Sequence, residues 1–396
     1  MTQEKVRDEI LQVENPNILC ELPTSFGKTR VALELMKKRL PLSKLTTSPS
    51  ILIVVPRLVL IDNWKDEFKK WGVEDYLPYV AFVTYVSFPK MAGVWNMVIF
   101  DEVHHLSPRC REASEDFIMN NCIMLSATVG RDMKRELSFL FNNLYIYKVS
   151  TKQAIQEEIL PDPKVYLIPL TLNTVNPNCE IVKNKSQRII LTIPFADKWK
   201  YANIKNRKII IKCTQRQYYS DMSSMIDWYK RKSFGSKTFK NMFLRKSGER
   251  LKWLSEQKSA YVQTVLNYLK NQRTLTFCNG ISQTEELGKY CINSKNKASE
   301  ENLQKFNSGK INHITACNML DEGVNLTNCR VGIYATLNSS ERMIKQKLGR
   351  LLRHPNPVIV IPYFVGTRDE EIVKTMLEDY NPELVTTITN LTELKL

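Results

Sequence analysis

The stretch Leu22-Pro23-Thr24-Ser25-Phe26-Gly27-Lys28-Thr29 constrains this chain more than any other. It joins a short apolar run, Ile18-Leu19-Cys20, to a helical pattern with Val31, Ala32, Leu35 and Met36 at the apolar positions. Strand, loop and helix in that order make a phosphate cradle. Backbone N–H groups of the loop and the helix N-terminus face an anion, Lys28 reaches the terminal phosphates, and the Thr29 hydroxyl is suited to Mg2+. Thr24, Ser25, Phe26 and Gly27 complete the cradle, although Leu22 stands where the usual string has its first glycine. A glycine turn opening an ordinary amphipathic helix is the competing reading, so the partners of the loop must decide.

A chain of 396 residues exceeds what one core usually organises, which makes two domains the expectation. Hydrophobic residues at 43% and charged residues at 25% are ordinary globular values. No apolar run approaches the ~18 residues of a membrane span, and residues 1–9 are polar, so a soluble, cytoplasmic protein is expected. Nine scattered cysteines without a C-x-x-C pair, and only four histidines, argue for reduced buried thiols and against zinc. The net charge of +16 is unevenly placed: residues 161–260 hold 21 Lys or Arg and 7 Asp or Glu, a difference of +14. So concentrated an excess favours a polyanion, of which nucleic acid is the commonest.

The first lobe reads as alternating strands and helices. Ile51-Leu52-Ile53-Val54-Val55 is a continuous apolar run, the pattern of a parallel strand covered on both faces. It ends at Pro56-Arg57 before a helix over residues 60–71, and further strands are expected at residues 81–84, 97–100 and 122–125. The strand over 97–100 delivers Asp101-Glu102-Val103-His104-His105. An acidic pair at the end of an apolar strand completes a nucleotide site, with Asp101 in the Mg2+ shell opposite Thr29 and Glu102 polarising the attacking water. Ser126-Ala127-Thr128 ends the next strand.

Residues 173–188 are polar and read as a loop, whereas Gln215 to Lys232 carries Tyr218, Met222, Met225 and Tyr229 at helical intervals. Aromatics among lysines and arginines suit a surface that tracks phosphates and stacks on bases, although most aromatics in any domain are core. Pro161-Asp162-Pro163 reads as a crossing between lobes. Beyond residue 260 a second strand–helix pattern begins, with strands at 274–278, 311–317, 331–334 and 358–361. Between them lie Met319-Leu320-Asp321-Glu322-Gly323-Val324-Asn325-Leu326 and Gln346-Lys347-Leu348-Gly349-Arg350-Leu351-Leu352-Arg353. Gln346, Arg350 and Arg353 are four and three residues apart and share one helix face. Such a face can supply the arginine finger that a phosphoryl-transfer site needs.

G-K-T, D-E-V-H and S-A-T in this order resemble motifs I, II and III of the D-E-x-H superfamily 2 helicases, and the later strings resemble motifs V and VI, with Phe277 marking motif IV. The set as a whole resembles the XPB/UvsW-like DNA helicases of phages and large DNA viruses. The resemblance implies Gln3 as an adenine-recognising residue, and Pro56-Arg57 and Thr84-Tyr85 as motif Ia- and Ib-like contacts to nucleic acid. It also implies that His104 couples nucleotide state to the facing lobe, and it places Gly323 and Asn325 at the nucleotide and Asn318 and Lys347 at the nucleic acid. Lys347 stands where motif VI usually has Arg, Asn318 where motif V commonly has Thr, and Ser25 where the loop has Gly.

The expected architecture is α/β: two RecA-like parallel-sheet domains in tandem, residues 1–160 and 256–396, with a basic, partly helical insertion over 161–255. Lys28, Asp101, Glu102, Gln346, Arg350 and Arg353 form the expected catalytic set, with ATP and Mg2+. The expected function is an ATP-dependent helicase or translocase that unwinds or branch-migrates forked or junction DNA in phage replication, recombination or repair. The partner is forked, branched or duplex DNA ahead of RNA, with no membrane and no zinc, and the chain is monomeric or weakly self-associating. The alternatives are a duplex translocase, or motor of a remodelling or restriction assembly, without strand separation, and a nucleotide-gated nucleic-acid clamp.

Overall fold

The computed structural model describes residues 2–46, 48–184, 202–205, 208–317, 326, 328–337, 354–378 and 380–396. The chain begins with helix α1 (Gln3–Leu11) and the strand β1 (Asn17–Glu21), then α2 (Lys28–Arg39), β2 (Ile51–Val55), α3 (Val59–Lys70) and β3 (Val80–Thr84). β4 (Gly93–Trp95), β5 (Met97–Phe100), α4 (Pro108–Ala113), β6 (Phe117–Met119), β7 (Cys122–Ser126), α5 (Arg131–Leu140) and β8 (Tyr145–Lys148) follow. Six strands form a parallel sheet in the order β3-β2-β5-β7-β1-β8, while β4 and β6 pair apart from it.

Strict alternation explains why these runs are apolar throughout. Ile51, Ile53 and Val55 of β2 face one core cluster with α1, α2 and α3, through Val6, Ile10, Val31, Leu35, Met36, Trp64 and Phe68. Leu52 and Val54 face the opposite cluster, with Phe88, Leu106, Cys110, Leu137 and Phe141. Every residue of β2 is fully buried, as two-sided coverage requires.

Helix α6 (Thr151–Gln156), opened by a Ser150–Gln153 capping box, leads to the second lobe. Its sheet takes in β9 (Lys164–Leu170), β13 (Thr274–Phe277), β14 (Cys291–Ile292), β15 (His313–Ala316), β16 (Val331–Tyr334), β17 (Val358–Phe364) and β18 (Val385–Thr387). All are parallel, in the order β14-β15-β13-β16-β17-β9-β18. One apolar cluster runs between the lobes through Val149, Ala154, Ile155 and Leu160 to Val165, Leu167, Ile359 and Ile361.

Segment 161–255 departs from its sequence expectation in three ways. Its first strand, β9, is seated between β17 and β18 in the second sheet. A strand within the expected loop, β10 (Cys179–Asn184), pairs with β12 (Lys208–Cys213), which in turn pairs with β11 (Ala202–Lys205), and Ile181 and Ile211 supply the buried contact. Finally, the helix Lys237–Tyr268 runs straight through the expected boundary at 255. The expected helix Gln215–Lys232 is present, capped by Thr214, and packs against Lys237–Tyr268 as an antiparallel hairpin. Among the described residues no helix is long and apolar enough to cross a membrane, and all nine cysteines are free.

The base of this hairpin is pinned by polar groups. Lys258 and Asp369 are 0% and 1% exposed at the side chain and pair at 2.9 Å, joining the hairpin to helix Arg368–Leu377. Ser255 donates to the Ala335 carbonyl at 2.9 Å, and the Gln283 amide donates to the Ser255 carbonyl at 2.8 Å. Breaking a buried ion pair strands a charge, so Asp369→Ala should cost about 3–5 kcal/mol of lobe stability, whereas the double change Lys258→Met with Asp369→Leu should recover most of it. Urea titration of the two variants checks this. Equal losses in both would show that the pair itself, rather than the stranded charge, is what stabilises the lobe.

Candidate functional site

The sheet order brings the three strings of the first lobe together. β7 lies between β1 and β5, so Ser126 stands between the phosphate loop that follows β1 and the carboxylates that follow β5. The loop is fastened to β7 by the Leu22 N–H, which donates to the Ser126 carbonyl at 3.0 Å. Ser25 and Gly27 both have positive φ, 67° and 89°, and Gly27 opens α2 in the left-handed region. A side chain at Gly27 would be strained by that φ, and its Cβ would also press on Gln3 Nε2 at 3.2 Å. Gln3 donates from that nitrogen to the Phe26 carbonyl. It is held there because α1 docks on α2, with Arg7 and Arg30 both pairing to Glu34 at 3.0 and 2.8 Å.

The carboxylates are held individually. Trp64 Nε1 donates to Asp101 Oδ2 at 3.0 Å, the Asp101 N–H donates to the Val54 carbonyl at 2.9 Å, and the Tyr85 hydroxyl donates to the Asp101 carbonyl at 2.8 Å. Glu102 has φ 50°, outside the comfortable range of a non-glycine residue. That turn aims its carboxylate at Lys28, with Oε1 3.5 Å from Nζ. Its other oxygen lies 3.4 Å from both His104 Nδ1 and Ser126 Oγ, and the last two are 3.0 Å apart. The Ser126 hydroxyl has one proton, with the Thr128 carbonyl at 3.0 Å as a shorter acceptor than Glu102. His104 can therefore donate to Ser126 or to Glu102, which joins the second and third strings in one polar cluster.

Of the expected nucleic-acid contacts in this lobe, Arg57 is exposed and Pro56 and Thr84 are half-buried at the carboxyl ends of β2 and β3. Tyr85 is turned inward. It is only 6% exposed, its ring stacks on Phe100 at 6.3 Å, and its hydroxyl is engaged by Asp101. Burial, and then the charges of Asp101 and Glu102, push its phenol well above the ordinary value. It supports the carboxylate end of β5. Sequence reasoning missed Trp64, since nothing in the chain pattern links it to a carboxylate 37 positions away.

Asn318, Gly323, Asn325, Gln346, Lys347, Arg350 and Arg353 lie outside the described residues. Phe277, the motif IV marker, is a buried member of the second sheet, its ring 4.9 Å from that of Tyr334.

Comparisons with known proteins bear on the family and the fold. Residues 2–87 match the type III restriction enzyme res subunit family, and residues 257–355 match the helicase conserved C-terminal domain. These two matches, with the relative below, support an ATP-hydrolysing helicase enzyme. A curated relative, the DNA 3'-5' translocase XPB2 of Sulfurisphaera tokodaii, is 23% identical over 380 residues, covering 90% of this chain and 80% of the relative. Among solved structures, Dbp5 of S. cerevisiae bound to RNA and ADP BeF3 superposes with a TM-score of 0.58 at 11% identity, over 98% of this chain and 89% of that one. The Pyrococcus furiosus Hef helicase domain gives 0.51 at 14% identity, over 94% and 97%. A fragment of a putative type I restriction HsdR subunit from Vibrio vulnificus gives 0.59 at 16% identity, over 98% and 68%. At these identities the structures establish a shared RecA-like fold.

Tyr85→Phe keeps the stacked ring and deletes the hydroxyl donor. It should lower stability by about 1–3 kcal/mol, the cost of an unmet buried acceptor, and slow ATP turnover while leaving nucleic-acid affinity unchanged. Thermal melting, ATPase rates and filter binding check this. Weakened nucleic-acid binding at unchanged stability would restore Tyr85 as a surface contact.

Proposed function

We propose that the chain is an ATP-driven motor on DNA that unwinds or branch-migrates forked and junction substrates. The observation that carries the catalytic half of this reading is the approach of Glu102 to Lys28, with Glu102 also bound into the Ser126–His104 cluster. A lysine for the terminal phosphates and a carboxylate beside it for the attacking water are what hydrolysis of an anhydride requires. We assign Lys28, Thr29 and the loop residues Thr24, Ser25, Phe26 and Gly27 to the phosphates, and Glu102 to the water. Gln3, fixed against the loop, is assigned to the base.

The donor set also fits a hard divalent cation. Asp101, oriented by Trp64, and the Thr29 hydroxyl at the first turn of α2 are oxygen ligands of the type Mg2+ takes, and we assign them to it. When bound, the ion would neutralise charge that develops on the phosphates. Glu102 then orients the water, while His104 and Ser126 hold Glu102 against Lys28. Gln346, Arg350 and Arg353 are assigned to the far side of the same nucleotide, and Gly323 and Asn325 to its rim, so that ATP favours closure of the lobes and hydrolysis releases it. Arg57, Pro56, Thr84, Asn318 and Lys347 are assigned to the strand being moved.

The +14 of residues 161–260 supports a polyanionic track, and the resemblance to phage and viral helicases supports forked or branched DNA in replication, recombination or repair. One alternative has a specific observation behind it: the curated relative is a translocase, so movement along duplex without strand separation is the second reading. A clamp that only binds has no use for a carboxylate placed like Glu102.

Lys28→Ala should abolish DNA-stimulated ATP hydrolysis, and Glu102→Gln should bind ATP and DNA yet turn over at least about a hundredfold more slowly, in the range seen when a preorganised catalytic group is lost. Normal turnover by either variant removes that residue from the mechanism. Strand-displacement assays on forks, four-way junctions, blunt duplexes and RNA separate the readings, since ATPase stimulated by blunt duplex without displacement selects the translocase.

A further inference from the structure

The aromatics of the basic hairpin divide sharply by environment. Tyr218 packs on Trp253 with ring centres 5.0 Å apart, and the Tyr219 hydroxyl accepts from the Arg368 N–H at 2.7 Å. Trp228, Tyr229 and Phe239 form a cluster that clasps the two helices near their tip, at 5.0 and 5.7 Å from the Trp228 ring. Phe234 belongs to none of these contacts and is 86% exposed. It sits at the apex of the turn Ser233-Phe234-Gly235-Ser236, which is a defined structure. The Ser236 N–H closes it on the Ser233 carbonyl at 3.3 Å, and Gly235 supplies the positive φ of 82° that the reversal needs.

The surroundings of this ring are cationic. Residues 228–244 contain five Lys or Arg (Lys230, Arg231, Lys232, Lys237 and Lys240), all exposed, and no Asp or Glu. Further along the arm, Arg245 and Lys246 pair with Glu249 at 3.5 and 2.6 Å. The tip also stands away from the lobe. No residue of the helix Lys237–Tyr268 is buried before Leu254, and the 18 residues from Ser236 to Leu254 span about 27 Å at helical rise. At the other end, Ser255, Gln283, Lys258 and Asp369 fasten the helix to the second lobe, so the arm is based on that lobe.

An aromatic ring in water at the apex of a rigid cationic arm matches a strand of nucleic acid, whose phosphates meet the lysines and whose bases offer flat faces. We propose that Phe234 is a base-stacking residue, and that the hairpin presents it to the unpaired bases of a single strand. The proposal rests on the nucleic-acid reading above, and adds a specific ligand element, the base rather than the phosphate, at a specific residue. Carried by the second lobe, the ring would hold or release a base as the lobes close and open.

The test uses the full chain and two strands of identical length and backbone, one of thymidines and one of abasic residues, titrated at fixed salt. Wild type is expected to prefer the thymidine strand by about tenfold, the effect of losing one stacked base. Phe234→Ala should lose most of that preference while keeping its affinity for the abasic strand and its ATPase without DNA, and Phe234→Tyr should retain it. The ring contributes no packing, so Phe234→Ala should melt with wild type. Unchanged preference in Phe234→Ala overturns the stacking role and leaves the motor reading intact. Failure of wild type to bind either strand also overturns the stacking role, and the ATPase and strand-displacement assays above then decide the motor reading separately. A wild-type dimer that Phe234→Ala dissolves would assign the ring to self-association, and would likewise overturn the proposal.

Discussion

The first lobe depends on β7 lying between β1 and β5. This adjacency makes one site of three strings that are otherwise separated by tens of residues, because in a parallel sheet every carboxyl end emerges on the same edge. Ser126 is the consequence at atomic scale. Its main chain fastens the loop through Leu22, and its side chain meets both Glu102 and His104. A shift of one strand position would carry the carboxylates away from Lys28 while leaving the hydrophobic core satisfied. Because β2 is aliphatic on both faces, its alternation does not fix that position, and main-chain bonds such as Asp101 N–H to the Val54 carbonyl and Leu22 N–H to the Ser126 carbonyl help to hold it.

Around that edge the chain spends polar groups in two different ways. At the site they are held but accessible to chemistry: Lys28 and Glu102 side chains are 12% and 14% exposed, and Asp101 is oriented by Trp64. In the second lobe they are withdrawn from solvent, as with Lys258 and Asp369, and serve to fix one long helix against the sheet. The first arrangement suits groups that must exchange partners during a reaction. The second suits a lever, since a buried pair tolerates only one geometry. Together they describe a candidate nucleotide site in one lobe and a cationic arm anchored on the other, which is the layout the proposed motor would need.

Much of this was legible in the sequence because it is local. The continuous apolar run of β2, the loop after β1, the acidic pair after β5 and the periodic helix Gln215–Lys232 each carry their signal within about a dozen residues. What could not be read is non-local or amphipathic. Trp64 orients Asp101 from an earlier strand–helix unit that neighbours it in the sheet, and Lys258 finds Asp369 across 111 positions. Thr84-Tyr85 resembles a surface contact, yet the strand end turns Tyr85 inward to Phe100. The strand Cys179–Asn184 has too little alternation to declare itself, and β9, which follows a Pro-rich crossing, gives no sign that it will be an interior strand of the second sheet. Phe234 is legible only in the structure, because the sequence cannot distinguish it from the aromatics that clasp the hairpin.

The central claim is that nucleotide and DNA act on one equilibrium between open and closed lobes. Linkage then requires reciprocity: a non-hydrolysable ATP analogue must change the affinity for single-stranded DNA by the same factor by which that DNA changes the affinity for the analogue, on the order of 5–150-fold. Measuring both affinities by fluorescence anisotropy, each with and without the other ligand at saturation, tests this directly. Equal factors well away from one are the predicted result. Affinities that do not respond to the other ligand would contradict the account.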